Sequence, residues 1–163
     1  MAVIESVRIA GDLAAVRGLM EEYAAILGVD LRFQHFDEEL ATLPGAYAPP
    51  AGCLLLAWEG EIAVGCVGIR PLESSTAEMK RLYVRPGLRS RGLGRMLAER
   101  AIAQAQSAGY RRIRLDTLAS MTQAHALYRS LGFVSIPAYR HNPIPGTVFF
   151  ELELTHAPDR GRP

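Results

Sequence analysis

The 163 residues are enough for one substantial core. Apolar residues make up 49% and charged residues of both signs 21%, the composition of a soluble globular protein. A formal net charge of +1 argues against bulk attraction to nucleic acid or a membrane surface. The basic character is local, concentrated around residues 80–95, and suggests a pocket rather than a surface field. Arginine outnumbers lysine 17 to 1, a compositional bias that lowers the worth of each arginine as a functional clue.

Residues 3–9 read as a short first strand. Asp12 is placed to cap a helix over 13–27, whose Leu13, Val16, Met20, Tyr23, Ala24 and Leu27 recur at three- and four-residue spacing, with Gly28 at C′. A second short helix is predicted over 36–43, followed by an irregular connection over 43–50. Residues 53–58 and 62–69 read as a hairpin closed by Pro71. With Glu59-Gly60 as a two-residue turn, Cys53 and Cys66 fall opposite each other. Two reduced core thiols are expected there, with a disulfide as the rival. Two cysteines are too few for a disulfide framework or a zinc site, and no metal is expected.

A strand over 77–84 is ended by Pro86-Gly87. The helix over 92–108 is predicted to bury Leu93, Met96, Leu97, Ala101, Ile102 and Ala105. Residues 112–118 form a strand with Ile113 and Leu115 alternating. Ser120 and Gln123 match a capping box for a helix presenting Met121, Ala124, Leu127, Tyr128 and Leu131 on one face, stopping at Gly132. The last strands fall at 133–136 and 147–154. This order gives an α/β fold, a mixed sandwich with helices on both faces. One domain over 1–155 and a disordered tail over 156–163 are expected. Met1 leads into Glu5 and Arg8 rather than a long apolar run, so no signal peptide is expected, and the compartment is taken as the cytoplasm.

The most informative stretch is EMKRLYV, then RPGLRSRGLG, then RMLAERAIAQAQSAG: a strand, a glycine- and arginine-rich turn and a helix. Two glycines let backbone N–H groups approach a ligand, and a helix N-terminus carries partial positive charge, so the turn suits a di- or polyphosphate. Arg89-Ser90-Arg91-Gly92-Leu93-Gly94 matches the (Gln/Arg)-x-x-Gly-x-(Gly/Ala) signature of the GNAT superfamily of acetyl-coenzyme A-dependent N-acetyltransferases. KRLYVRPGLRSRGLGRMLAE resembles that family's fourth strand and pyrophosphate loop, and ALYRSLGF its later Tyr-x-x-x-Gly-Phe helix end. The element order fits from Val3 to Leu154.

The resemblance implies a mixed, mostly antiparallel central sheet of about six to seven strands. It also implies a bulged strand that splays from its neighbour, with acetyl-coenzyme A held along the gap. Carried onto this chain, Leu82, Tyr83 and Val84 would bond the pantetheine arm through their backbone. Arg89, Ser90, Arg91, Gly92, Leu93, Gly94 and Arg95 would hold the pyrophosphate. Leu82 N–H would stabilise the oxyanion, and Tyr128 would be the acid at the departing sulfur. Glu78, eleven residues before Arg89, stands where histone-acetylating members carry a catalytic glutamate; a water chain is the alternative base. On an extended strand Glu78 shares a face with Lys80, Leu82 and Val84. A structural salt bridge is the plainer reading of Glu78, and an ordinary buried tyrosine that of Tyr128.

One departure stands out. Many members carry an asparagine seven residues before the tyrosine, where this chain has Met121, so Ser120 or Gln123 would have to replace that contact. For the acceptor, Tyr23, Phe33, His35, Tyr139, Arg140 and His141 lie in the expected regions, with Arg140 able to hold a carboxylate. Asp116 is expected to make a structural hydrogen bond. The favoured reading is acetylation of a primary amine of a small or amino-acid-like molecule. The alternatives are a protein lysine or N-terminal acetyltransferase and a non-catalytic acyl-coenzyme A sensor. No nucleic-acid or membrane partner is expected, and a homodimer is compatible with the sequence.

Overall fold

The structure, a computed structural model, describes residues 2–6, 8, 10–88 and 91–154. Strands β1 (Ala2–Ser6), β2 (Cys53–Glu59), β3 (Ile62–Glu73), β4 (Thr76–Val84), β5 (Arg112–Thr117), β6 (Val134–Ile136) and β7 (Val148–Glu153) form one seven-stranded sheet in the order β1-β2-β3-β4-β5-β7-β6. The β4–β5 pair is parallel and the other pairs are antiparallel. Helices α1 (Ala10–Leu27) and α2 (Phe36–Ala41) pack on one face; α3 (Leu93–Ser107) and α4 (Thr122–Ser130) pack on the other. The predicted mixed sheet with helices on both faces is what is found. The expected tail over 156–163 lies outside the described residues.

The all-apolar run in β2 is what a strand buried on both faces requires. Cys53, Leu55 and Ala57 point toward α3, whereas Leu54 and Leu56 point toward α1. The hairpin turn falls at Gly60-Glu61, since Glu59 pairs with Ile62, and a bulge follows at Ala57/Trp58. Cys53 therefore pairs with Ile69 and Cys66 with Leu56. The two cysteines lie in cores on opposite faces of the sheet, both buried and free, so the disulfide considered from the sequence cannot form. Pro71 lies within β3 beside a register irregularity, where a missing ladder donor is tolerated.

Helix boundaries shift in three informative ways. Helix α1 starts at Ala10, so Asp12 sits inside its first turn, and its Oδ2 accepts from Arg8 N–H at 3.2 Å instead of capping residues ahead. In α3 the buried stripe takes Ala98, while Met96 is 43% exposed. No capping box forms at α4, whose N-cap is Met121 with no side-chain cap bond.

Two irregularities of β4 create the site. Between the pairs Cys66↔Tyr83 and Gly68↔Lys80, β4 carries one more residue than β3, and Arg81 takes a positive φ of 60°. This bulge reverses the alternation. Glu78 and Lys80 thus do not share a face with Leu82 and Val84: Val84 and Leu82 join the α3-side core, and Tyr83 the α1-side core. The second irregularity is a fork. β5 pairs with β4 only at Thr76, Ala77 and Glu78, then runs on beside β7. Beyond Glu78, the strands part.

Candidate active site

A cleft of about 650 Å³ runs from the fork to the start of α3. Its walls are Leu82, Tyr83 and Val84 of β4, Gly92, Gly94 and Arg95 at the start of α3, Ser120, Met121 and Gln123 around the start of α4, and Tyr23 and Leu27 of α1. Gly92 is the left-handed N-cap of α3, with φ of 76°, a conformation strained for any residue with a Cβ. Gly94 serves by what it lacks: a Cβ there would stand 3.9 Å from both Val84 and Leu127, inside the cleft. The N–H groups of a helix's first turn have no intrahelical acceptor, so the cleft ends on a natural anion site. Arg91 pairs with Glu59 at 2.9 Å, and Arg95 reaches Glu99 at 2.9 Å and Ser130 at 2.8 Å. Arg89 and Ser90 lie outside the described residues.

At its inner end the cleft meets a cavity of about 40 Å³ in the apex of the fork, sharing Tyr23, Leu27, Leu82, Leu118 and Met121 with it. Lys80, Arg81, Asp116 and Tyr128 also line this cavity. Tyr128 is buried against Phe133 and Phe150. Burial and, to a lesser extent, the nearby Tyr23 and Asp116 raise its phenol above the ordinary tyrosine value. Met121, at the position of the expected asparagine, accepts from Thr117 Oγ1 at 3.7 Å through its sulfur. Ser120 and Gln123 do line the cleft nearby.

Beyond the cavity lies a buried ion network. Glu78 is fully buried: Oε1 accepts from Arg70 Nε at 2.9 Å and Nη2 at 2.8 Å, and Oε2 accepts from the Tyr139 hydroxyl at 2.7 Å and from Arg140 Nη2. Desolvation alone would raise its carboxyl, but the charge of Lys80, the Arg140 hydrogen bond and the charges of Arg70 and Arg140 outweigh it and pull the group down to about 2. Glu39 takes Arg81 in a two-pronged pair, both contacts at 3.0 Å. Gln34 Oε1 accepts from both Arg81 Nη1 and Lys80 Nζ at 3.0 Å. Lys80 Nζ also reaches Asp116 Oδ1 at 3.3 Å across the fork, and Asn142 Nδ2 donates to Asp116 Oδ2 at 3.3 Å.

A further pocket of about 360 Å³ opens on the outer side of this network, lined by Gln34, Glu39, Tyr47, Arg70, Arg140 and neighbours including His35 and His141. His35 is exposed and pairs with Glu38 at 2.9 Å. Tyr139 stacks edge-on against Phe149 with centroids 5.2 Å apart. The Phe33 side chain lies outside the described residues. Among the residues singled out from the sequence, Tyr128, Leu82 and the α3 glycines share one continuous space, while Glu78 faces the outer pocket's arginines. Sequence reasoning missed Gln34, Glu39, Arg70 and Arg81 because their partners come from separate elements. It passed over Lys80 despite a signal: Lys80 is the only lysine in the 163 residues.

A forked, bulged sheet with a glycine-opened helix start at the fork defines the acyl-coenzyme A N-acyltransferase class. The sequence model of the Acetyltransferase (GNAT) family matches residues 17–133. An uncharacterized N-acetyltransferase of Schizosaccharomyces pombe is 41% identical over 93% of this chain and 94% of its own. N-acetylaspartate synthetase of Rattus norvegicus is 34% identical over 60% of this chain; the chain spans 33% of that longer protein. A crystallised acetyltransferase from Streptococcus agalactiae superposes with a TM-score of 0.78 at 22% identity, covering 94% of this chain and 98% of that one. An acetyltransferase from Salmonella typhimurium solved with its cofactor acetyl-CoA does so with a TM-score of 0.66 at 22% identity, covering 98% and 99%. The chain belongs to the GNAT family and is an acetyl-coenzyme A-dependent N-acetyltransferase.

Proposed function

We propose that the protein acetylates the primary amine of a small, amino-acid-like acceptor that carries a carboxylate. Arg140 is the observation that carries this reading. It lines the outer pocket with Nη2 committed to Glu78, and among the described residues its Nε and Nη1 have no hydrogen-bond acceptor. Glu78 is shared between Arg70 and Arg140, two guanidinium groups on one carboxylate. An acceptor carboxylate would give Arg140 a second anionic partner and match the guanidinium fork. The outer pocket, about 360 Å³, suits a molecule of amino-acid size. Similarity to N-acetylaspartate synthetase, named for an acetylated amino acid, supports the same class of acceptor.

The residues present fit acetyl-coenzyme A. The diphosphate would rest on the first N–H groups of α3, in the space left by Gly94, with Arg91, Gly92, Leu93 and Arg95 around it. The pantetheine arm would run along the edge of β4 at Leu82, Tyr83 and Val84, and Leu82 N–H would face the thioester oxygen. Tyr128, which lines the same cavity as Leu82, would stand at the sulfur. A thiol ionises near 8.5 and an ordinary tyrosine near 10, so a phenol raised further cannot yield its proton to a thiolate without an uphill step. Tyr128 therefore acts as a hydrogen-bond donor to the departing sulfur, and solvent completes the thiol.

Glu78 is a weak candidate for the base. With its carboxyl near 2 and even a peptide-type α-ammonium near 8, the transfer is uphill by at least about six pKa units, or about 8 kcal/mol. Its place between Arg70, Tyr139 and Arg140 makes it a positioning residue for the acceptor's carboxylate site.

The test is thiol release from acetyl-coenzyme A with free amino acids, their carboxamides, alkylamines and short peptides. Faster release with free amino acids is expected. Equal rates with alkylamines, or a preference for peptides, would overturn the acceptor class.

A further inference from the structure

Resting on that reading of the site as an acetyl-transfer centre, we propose that Lys80, held across the strand fork by Asp116 and Gln34, takes the proton from the incoming amine. The first support is position. Lys80 lines the same small cavity as Leu82 and Tyr128, the groups proposed to meet the thioester oxygen and sulfur, and its side chain is 4% exposed. Two neighbours hold it, Gln34 Oε1 at 3.0 Å and Asp116 Oδ1 at 3.3 Å, so a further valence of the nitrogen is left for the acceptor.

The second support is composition. Every other basic side chain among the Lys and Arg residues of the 163 is arginine, so the bias that favours arginine elsewhere leaves lysine at this position alone. Arginine can supply charge and hydrogen bonds at a buried site, and Arg81 beside it does so. What arginine cannot supply is a group that gives up its proton in the neutral range.

The third support is electrostatic. Asp116 on β5 faces Lys80, as do Glu78 and Arg81 on its own strand and Arg70 on β3, while Tyr23 of α1 and Tyr128 of α4 line the same cavity. Burial, the largest influence, with Arg81 and Arg70 outweighs the pull of Asp116 and Glu78, and brings the ammonium down to about 8. That is far nearer to an acceptor's ammonium than the Glu78 carboxyl is, so the proton passes with a much smaller uphill step.

The step balances without a further reactant. Neutral Lys80 Nζ takes a proton from the acceptor's R–NH3+ and becomes an ammonium. The freed amine lone pair forms the C–N bond to the thioester carbonyl carbon. The C–S bond breaks, and its electron pair leaves on sulfur, which accepts a hydrogen bond from Tyr128. The amide nitrogen's remaining excess proton and the Lys80 proton return to water, and the thiolate takes one from it.

A single lysine makes the test direct. Protein grown on 13C,15N-lysine gives one lysine resonance, and titrating it with coenzyme A bound needs no acceptor. A midpoint near 8 is expected, and one above 10, the ordinary lysine value, would overturn the proposal. Lys80→Arg and Lys80→Met should each lower kcat/KM by about a hundredfold or more and remove the limb near pH 8, with coenzyme A affinity within about twofold of the natural protein. Full turnover in Lys80→Arg would show that a fixed charge suffices, and the proposal would fall. Absence of thiol release with every amine, beside a midpoint near 8, would sink the acceptor reading of the preceding subsection instead.

Discussion

In the cleft between β4, α3 and α4 the features on offer to a ligand are backbone N–H groups and absent side chains: Gly92 for its φ, Gly94 for its missing Cβ. Across the fork they are charged side chains from separate elements, tied as Arg140–Glu78–Arg70 and Arg81–Gln34–Lys80–Asp116. A diphosphate-bearing cofactor common to many acceptors is suited by backbone, which every strand and helix start provides. An acceptor must be told from its analogues, and buried charges do that because leaving one unmatched is costly. The two halves should therefore respond differently to substitution: the cofactor side through affinity, the acceptor side through stability, pH and acceptor choice.

Glu78→Gln should show the largest effect. It leaves Arg70 and Arg140 without their shared carboxylate, and breaking such a buried pair costs about 3 kcal/mol or more. Urea denaturation should register that loss, and the acceptor KM should rise more than kcat falls, with the pH limb retained. Because the folded carboxyl lies near 2 against an ordinary 4.5, its stabilisation is complete above about pH 4.5 and is lost as pH falls toward 2. The natural protein should lose stability over that window more steeply than Glu78→Gln.

Next comes Gly94→Val, which places methyl groups beside Val84 and Leu127 in the cleft. Coenzyme A affinity should weaken by about thirtyfold, ~2 kcal/mol, by calorimetry, with acceptor preference unchanged. Tyr128→Phe removes one hydrogen-bond donor, so turnover should drop about tenfold with coenzyme A affinity intact. Unchanged turnover would remove Tyr128 from the chemistry. The smallest effect is a gain: Met121→Asn puts an amide at the cleft wall, and affinity should tighten about fivefold, ~1 kcal/mol.

How much of this could be read beforehand also divides along the fork. RSRGLG and LYRSLGF are local, so the glycines, the start of α3 and Tyr128 were legible from their spacing. The Arg81 bulge was not placed, because one extra residue leaves no mark on a buried apolar strand until its partner's register is known. That residue is why Glu78 and Leu82 parted faces. A turn displaced by one residue, with a bulge beside it, likewise separated Cys53 from Cys66. The buried ion network was least legible, since Glu39, Arg70, Glu78 and Arg140 meet only in three dimensions, and an arginine-rich composition hides the few arginines that join it.

The central claim is that acceptor choice resides in the charged half of the site, with Arg140 reading a carboxylate. The direct measurement is kcat/KM for a free amino acid and for its carboxamide, in the natural protein and in Arg140→Gln. The natural protein should prefer the carboxylate by about tenfold or more, ~1.4 kcal/mol, and Arg140→Gln should bring the ratio toward one. An equal ratio in both proteins, with coenzyme A binding intact, would contradict it.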